Sequence, residues 1–180
     1  SVFPELLDRL LKVRNDLPAE TEIIFVNDGS SDQTTVLIEE AVATQDHCVG
    51  VHLSRNFGHQ AAISAGLKVS RGEAVALIDG DLQDPPELIP QLYAKIAESY
   101  DVVYAVRRNR KEGWIKRACY FTYYRMLNKI TLIDLPLDAG DYCVMSRRVV
   151  THINQMPERN RYIRGLRSFV GFKQTGIPYD

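Results

Sequence analysis

Apolar and polar positions along the chain follow two periods, one helical and one extended. Leu6, Leu7, Leu10 and Leu11 recur at helical spacing and predict a helix from about Pro4 to Val13. Residues 22–26 form a short β-rich apolar run, which predicts a buried strand. It stops at the turn and cap cluster Asn27-Asp28-Gly29-Ser30-Ser31-Asp32. A helix is predicted from about Gln33 to Thr44, then a strand over 49–53. The next helix, Gly58 to Val69, presents Ala61, Ala62, Ala65 and Gly66 for close packing. Residues 74–78 read as a third strand, ended by Asp79-Gly80-Asp81. Pro85-Pro86 opens a helix at its first turn, where proline is tolerated, with Leu88, Ile89, Leu92 and Ile96 on its inner face. Residues 101–106 read as a fourth strand. A long amphipathic helix is predicted from about Trp114 to Ile130, a loop from Asp134 to Asp141, a short strand over 142–145 and a helix over 147–155. A further helix and a strand near 172–177 close the chain.

Strand and helix alternate with short connections and no internal repeat. This predicts an α/β fold, an open and mostly parallel sheet with helices on both faces. In such sheets ligands sit outside the carboxyl ends of the strands. Three polar segments follow strand ends: Asn27-Asp28, Ser54-Arg55-Asn56 and Asp79-Gly80-Asp81. The topology predicts that they meet at one edge.

Charge sharpens this picture. The net charge is −1, but residues 1–100 carry −9 and residues 101–180 carry +8. Carboxylates can hold a metal and cations can hold anions, so the halves suggest two tasks; solvated helix faces that differ by chance are the simpler alternative. Cys48, Cys119 and Cys143 are far apart, which argues against a disulfide framework or a Cys-x-x-Cys metal site and fits a reducing compartment. No apolar run reaches the roughly 18 residues of a membrane span, and no signal peptide is visible.

Asp79-Gly80-Asp81 places two carboxylates one residue apart, able to face the same side of an extended chain. Gly80 permits a bend and a close backbone approach. Two hard oxygens suit Mg²⁺ or Mn²⁺, which take their other ligands from water and a diphosphate. The simpler alternative is a turn with an Asp cap. Asp28 is assigned to a base or ribose, and Asp32 to capping the following helix. In Arg55-Asn56-Phe57-Gly58-His59-Gln60 the helix start favours an anion. Arg55 is a candidate for a phosphate or a carboxylate, and a lone His59 reads as structural. Asp141, in Asp138-Ala139-Gly140-Asp141, is the candidate for orienting or deprotonating an acceptor; a turn carboxylate is the alternative. The basic segments 107–111 and 116–117, with Arg159, Arg161, Arg164 and Arg167, fit an anionic membrane, a phosphorylated acceptor or a solvated face. No interleaved aromatic RNA signature accompanies them, so nucleic acid is not an expected partner.

The string Phe25-Val26-Asn27-Asp28-Gly29-Ser30-Ser31-Asp32 resembles the nucleotide-binding segment of family 2 glycosyltransferases with the GT-A, nucleotide-diphospho-sugar transferase-like fold. Residues 54–62 (SRNFGHQAA) and 78–87 (IDGDLQDPPE) are similar to one subgroup, the polyprenyl-phosphate glycosyltransferases. That subgroup includes dolichol-phosphate mannose synthases and undecaprenyl-phosphate glucosyltransferases. Residues 140–147 and 161–166 look like its later motifs, and the resemblance runs the length of the chain in order. It implies a hexosyltransferase that works with inversion, moving a sugar (glucose favoured) from a UDP- or GDP-sugar to a polyprenyl phosphate, UDP favoured. It implies Asp79, Asp81 and, by position, Gln83 as ligands of Mg²⁺ or Mn²⁺. Asp28, Gly58, Asp79, Gly80 and Asp81 would line the nucleotide-sugar site, Asp81 and Asp141 would be catalytic, and Arg117 and Arg164 would hold the acceptor phosphate. The parent protein is expected at the cytoplasmic face of the cell membrane, and self-association is kept open because membrane-attached relatives often assemble.

Departures from the pattern bear on extent. The family begins with a strand and a Pro-x-Tyr-Asn type loop, and continues into an acceptor loop, an amphipathic helix and often membrane helices. Residues 1–180 are therefore expected to be a catalytic-domain fragment lacking the N-terminal strand and the membrane-associated region. Asn27 stands where an Asp is common in the wider family. Three rivals remain: a glycosyltransferase acting on a glycan, a sugar nucleotidyltransferase, and a non-catalytic module binding anionic lipid or RNA. The second needs a Gly-rich phosphate loop that is not visible.

Overall fold

The computed structural model describes residues 2–108 and 139–179. The predicted helix 114–130, Cys119, Arg117 and the segment 134–138 lie outside the described residues. Six helices and six strands are described, named here in chain order. Helix α1 is Phe3–Asp16, strand β1 Ile23–Asn27, α2 Thr34–Thr44, β2 Cys48–His52, α3 His59–Val69 and β3 Ala74–Leu77. A 3₁₀ turn at Pro86–Leu88 leads into α4, Ile89–Ala97, followed by β4, Val102–Arg107, and β5, Ala139–Ser146. Helix α5 is Arg147–Gln155, α6 Ile163–Phe169 and β6 Gln174–Tyr179.

Strands β1 and β2 pair in parallel. The other four are ordered β3-β5-β4-β6, with β4 and β6 parallel and β5 antiparallel to both neighbours. Strands β3, β4 and β6 thus share one direction, and β5 alone runs against them. Side chains alternate between the faces of the sheet. Val102, Cys143 and Met145 pack with Ile63 and Leu67 of α3, Val149, Val150 and Ile153 of α5, and Ile163 of α6. Val103, Ala105 and Val144 pack on the opposite face with Val13 of α1 and Leu88, Ile89 and Leu92 at the start of α4. Helices therefore cover both faces, as the alternating pattern predicts.

The segment Ala139-Gly140-Asp141 belongs to β5, not to a loop. A register irregularity between Tyr104 and Val106 carries the pairing on to Val106–Ala139, and β-bulges of this kind bend a strand without ending it. Because β5 is antiparallel, its first residues lie at the edge where β3 and β4 end. Asp141 thereby reaches the carboxyl end of the sheet, which a loop assignment could not explain.

Among the described residues the two sheets share no strand pairing. Consecutive residues of β1 (Ile23 to Val26) and of β3 (Ala74 to Leu77) line one cavity of about 900 Å³. Consecutive rather than alternate residues mark a strand edge. Leu6, Leu10 and Val13 of α1 and Ile63 and Leu67 of α3 also line it. The gap is largely apolar and lies between the β1 and β3 edges, which have no further strand partner among the described residues.

Candidate active site

The site is assembled from loops at the carboxyl ends of β1, β2 and β3 and from the start of β5. Asp28, just past β1, accepts the Phe57 N–H at 2.7 Å through Oδ1 and the Gly58 N–H at 2.9 Å through Oδ2. Its carboxylate thus holds the loop that precedes α3, whatever ligand it meets as well. Gly29 has φ 70°, and a Cβ there would lie 2.4 Å from the Arg55 carbonyl carbon. Only glycine lets the two loops touch. Gly58, at φ 95° and ψ 155°, is held in a region that side chains avoid.

Asn27 is buried and its amide is oriented by its neighbours. Its Oδ1 accepts the Ser30 N–H at 2.8 Å, so Nδ2 must face Thr35 Oγ1 at 2.8 Å and His52 Nδ1 at 3.4 Å. His52 turns its Nε2 to Glu39 at 2.9 Å, so a neutral imidazole with its proton there leaves Nδ1 to accept from the Asn27 amide. Asp32 Oδ1 accepts the Thr34 N–H at 3.0 Å, the capping contact the sequence assigns to it. Arg55 turns back on its own loop, donating to the Asn56 carbonyl at 2.9 Å and covering the Phe57 ring at 4.0 Å.

Beyond β3, Asp81 Oδ1 accepts the Gln83 N–H at 3.0 Å. The positive φ of this turn falls on Leu82, at 59°, and not on Gly80, where a Cβ would make only ordinary contact with Leu6 at 3.7 Å. Leu82 tolerates that backbone while its side chain packs against the core beneath α1 and β1. The loop is pinned from the sheet by three side chains: Arg107, read from the sequence only as part of a basic segment, and Tyr142 and Tyr179, to which the sequence assigns no role. Arg107 donates to the Gln83 carbonyl at 2.6 Å, Tyr142 to the Pro85 carbonyl at 2.7 Å, and Tyr179 to Asp84. Each lies on a different strand, so nothing in local spacing announces them. A pocket of about 120 Å³ remains, lined by Asp79, Asp81, Gln83, Asp84, Arg107 and Tyr179 among others.

Asp79 and Asp141 both lie close to His59, the first residue of α3. His59 Nε2 lies 3.3 Å from Asp141 Oδ2 and 3.6 Å from Asp79 Oδ1. The sequence reading gives this histidine a structural role; the structure sets it between two site carboxylates. Asp79 titrates above the usual carboxylate range, chiefly through burial, opposed by His59, with Asp141, Asp81 and Asp84 pushing it further up. Asp141 is 14% exposed, and its Oδ1 faces Arg164 Nε at 3.7 Å. Arg164, expected as a ligand of an acceptor phosphate, lies beside the Asp141 carboxylate, whereas Arg117 lies outside the described residues.

A divalent ion can be tested against this donor set. Among the described residues no three His, Cys, Asp or Glu side chains converge on one point. Asp79 and Asp81 border the same pocket, and the carboxylates around Asp79 disfavour its ionisation, a charge density that a cation would relieve. Two protein carboxylates with the rest from water and a diphosphate is the way Mg²⁺ is commonly bound. The residues therefore fit such an ion. Gln83 lines the pocket, though its described hydrogen bonds are backbone ones.

The basic second half has a divided role. Arg147 donates to the Gly72 carbonyl, Arg161 to the carbonyls of Ile153 and Met156, and Arg148 to Asp101. Arg167 is buried, over the Tyr104 ring at 5.4 Å. These four cations serve the fold. Among the described residues, no helix is long and apolar enough to cross a membrane.

Known proteins carry the same framework. Residues 2–153 match the family described as glycosyl transferase family 2. The chain belongs to that family. It is 43% identical over 99% of its length to the protein named uncharacterized glycosyltransferase YkcC of Bacillus subtilis, spanning 55% of that relative. It is 40% identical over 90% of its length to the bactoprenol glucosyl transferase of Shigella phage SfX, spanning 53% of it. The chain thus spans about half the length of these family 2 relatives. A solved neighbour in fold is the mannosyltransferase PcManGT of Pyrobaculum calidifontis in complex with GDP-Man and Mn²⁺. It has a TM-score of 0.63 at 16% identity, covering 97% of this chain and 51% of that one. The family 2 chain described here thus has the GT-A fold.

Proposed function

We propose that this chain is the catalytic region of an inverting glycosyltransferase that moves a hexose, glucose favoured, from a nucleotide sugar, UDP favoured, to a polyprenyl phosphate. The observation that carries this is the gathering of Asp79, from the end of β3, and Asp141, from the start of β5, at the Nε2 of His59. One carboxylate sits where a metal-bound diphosphate leaves, the other where an acceptor arrives. The name of the 40% identical relative supports glucose and a polyprenol-type acceptor, and the Mn²⁺ and GDP-Man in the fold neighbour support a divalent ion and a nucleoside diphosphate.

In this reading Asp79 and Asp81, with Gln83 by position, hold Mg²⁺ or Mn²⁺. When bound, the ion neutralises the charge that develops on the departing diphosphate. Asp28 and the Gly58 backbone border the nucleotide. An acceptor phosphate oxygen attacks the anomeric carbon as the bond from that carbon to the diphosphate oxygen breaks, which inverts the configuration. A phosphate monoester has a second pKa of about 6 and is largely dianionic at neutral pH. Asp141 therefore has little need to remove a proton; it orients the acceptor, with Arg164 beside it and Arg117 as further cations for the phosphate. The parent protein works at the cytoplasmic face of the membrane.

The test is glucosyl transfer from UDP-glucose to a short polyprenyl phosphate by the intact protein, with and without Mn²⁺, beside Asp81→Asn. Metal-dependent glucolipid that disappears in the variant is expected. Transfer to a free oligosaccharide but not to the lipid phosphate would move the enzyme to glycan acceptors. Failure to bind any nucleotide sugar would leave the anion-binding module.

A further inference from the structure

One side chain links the acceptor-side carboxylate to the helix that carries Arg164, and neither charge nor motif reading assigns it a task. Gln60, on the first turn of α3, reaches Ile163, the first residue of α6. Its Oε1 accepts the Ile163 N–H at 2.7 Å. That N–H is one of the donors a helix leaves without an internal partner, and Ile163 is 1% exposed, so water does not replace the bond easily. A backbone N–H can only donate, which fixes the amide: Oε1 faces Ile163 and Nε2 faces the other way. There it lies 3.4 Å from Asp141 Oδ2, a long contact that the amide's orientation makes attractive.

The remaining surroundings of Asp141 make this contact consequential. His59 Nε2 stands 3.3 Å from the same Oδ2. Oδ1 and Arg164 Nε face each other at 3.7 Å, and neither has a hydrogen-bond partner among the described residues. Donors therefore gather on Oδ2, and Oδ1 is left toward Arg164. Turning the carboxylate about its Cβ–Cγ bond would exchange the two oxygens, and Gln60 opposes that turn.

We infer that Gln60 is a positioning residue for sugar transfer. It sets the rotation of the Asp141 carboxylate and, by capping α6 with the same amide, holds Arg164 at the distance from which cation and carboxylate act on one phosphate. This rests on the reading of Asp141 as the acceptor-side carboxylate.

Two variants of the intact protein separate this role from a purely structural one. Gln60→Glu keeps an oxygen for the Ile163 N–H and removes the donor facing Asp141. Gln60→Met removes both. At pH 8, transfer is expected to fall tenfold or more in both variants, with KM for the nucleotide sugar within twofold of wild type. Hydrogen exchange at the Ile163 amide should stay slow in Gln60→Glu and quicken in Gln60→Met. Gln60→Glu transferring as fast as wild type would overturn the inference and leave Gln60 as a helix cap. If wild type itself transfers no sugar, the reading of the activity has failed, and the contact is decided separately. The Gln60 side-chain amide resonance must then move in Asp141→Asn; an unmoved resonance overturns the inference.

Discussion

Asp79, the proposed metal ligand, is held where its charge is unfavourable to the fold. Burial and the carboxylates of Asp141, Asp81 and Asp84 raise its proton affinity. A raised carboxylate pKa means that the folded state resists ionisation, so stability declines as pH climbs from the unfolded value of about 4 through the folded one. Asp79→Asn removes that cost. Thermal unfolding at pH 7 without divalent ions should therefore show the variant at least as stable as wild type. Mn²⁺ should raise the wild-type midpoint and leave the variant unmoved. A lower midpoint for the ion-free variant would mean that Asp79 is a structural turn residue. Asn27 and Gln60 carry a related lesson: both side-chain amides are oriented by a backbone N–H, and each then presents its NH₂ group to a neighbour.

Among the elements, joints carry the charges. Asp101, at the head of β4, is buried and accepts both Nε and Nη2 of Arg148 on α5, with Ser146 Oγ at 3.2 Å. The Arg148 hydrogen bonds hold its carboxyl below the usual range. A lowered pKa contributes stability that is present above the unfolded value of about 4 and lost as pH falls through the folded one. Asp101→Asn should lower stability at pH 7, by less than the full worth of a buried charged hydrogen bond because the Arg148 side chain is largely exposed to solvent. In urea unfolding the gap to wild type should close as pH drops below about 4; a gap that persists undiminished at pH 2 would assign the loss to packing. The Arg107, Tyr142 and Tyr179 contacts tie the Asp79–Asp84 loop to three strands, so its shape depends on the sheet and not on its own turn.

For the whole molecule, the break between the two sheets is the dominant feature. Among the described residues the β1 and β3 edges have no partner across a largely apolar cavity of about 900 Å³. Unpaired backbone groups in such a place cost about 1–3 kcal/mol each where water cannot reach them. An extended apolar segment of about five residues, fused ahead of Ser1 so that it enters the gap, should pair with both edges. Amide exchange over Ile23–Val26 and Ala74–Leu77 should then slow, and the unfolding midpoint should rise by about 4 °C or more. Unchanged protection on both strands would show that the cavity does not accept a strand.

The order of the described elements and the strand-end position of Asp28, Asp79 and Asp81 were legible in the sequence, because apolar periodicity reports which face is buried and turn chemistry marks where a strand stops. Asp32 as a capping residue was legible for the same local reason. The assignment of Asp141 to a loop failed at a bulge, since strand pairing is a relation between segments and leaves no mark in either alone. The tertiary structure alone decided that β5 runs antiparallel and brings Asp141 to the active edge, and that His59 and Gln60 face it from α3. It alone decided that Arg107, Tyr142 and Tyr179 hold the acidic loop. Local sequence determines what each segment is; which polar groups meet depends on how distant segments pack, and at this site that packing selects the chemistry.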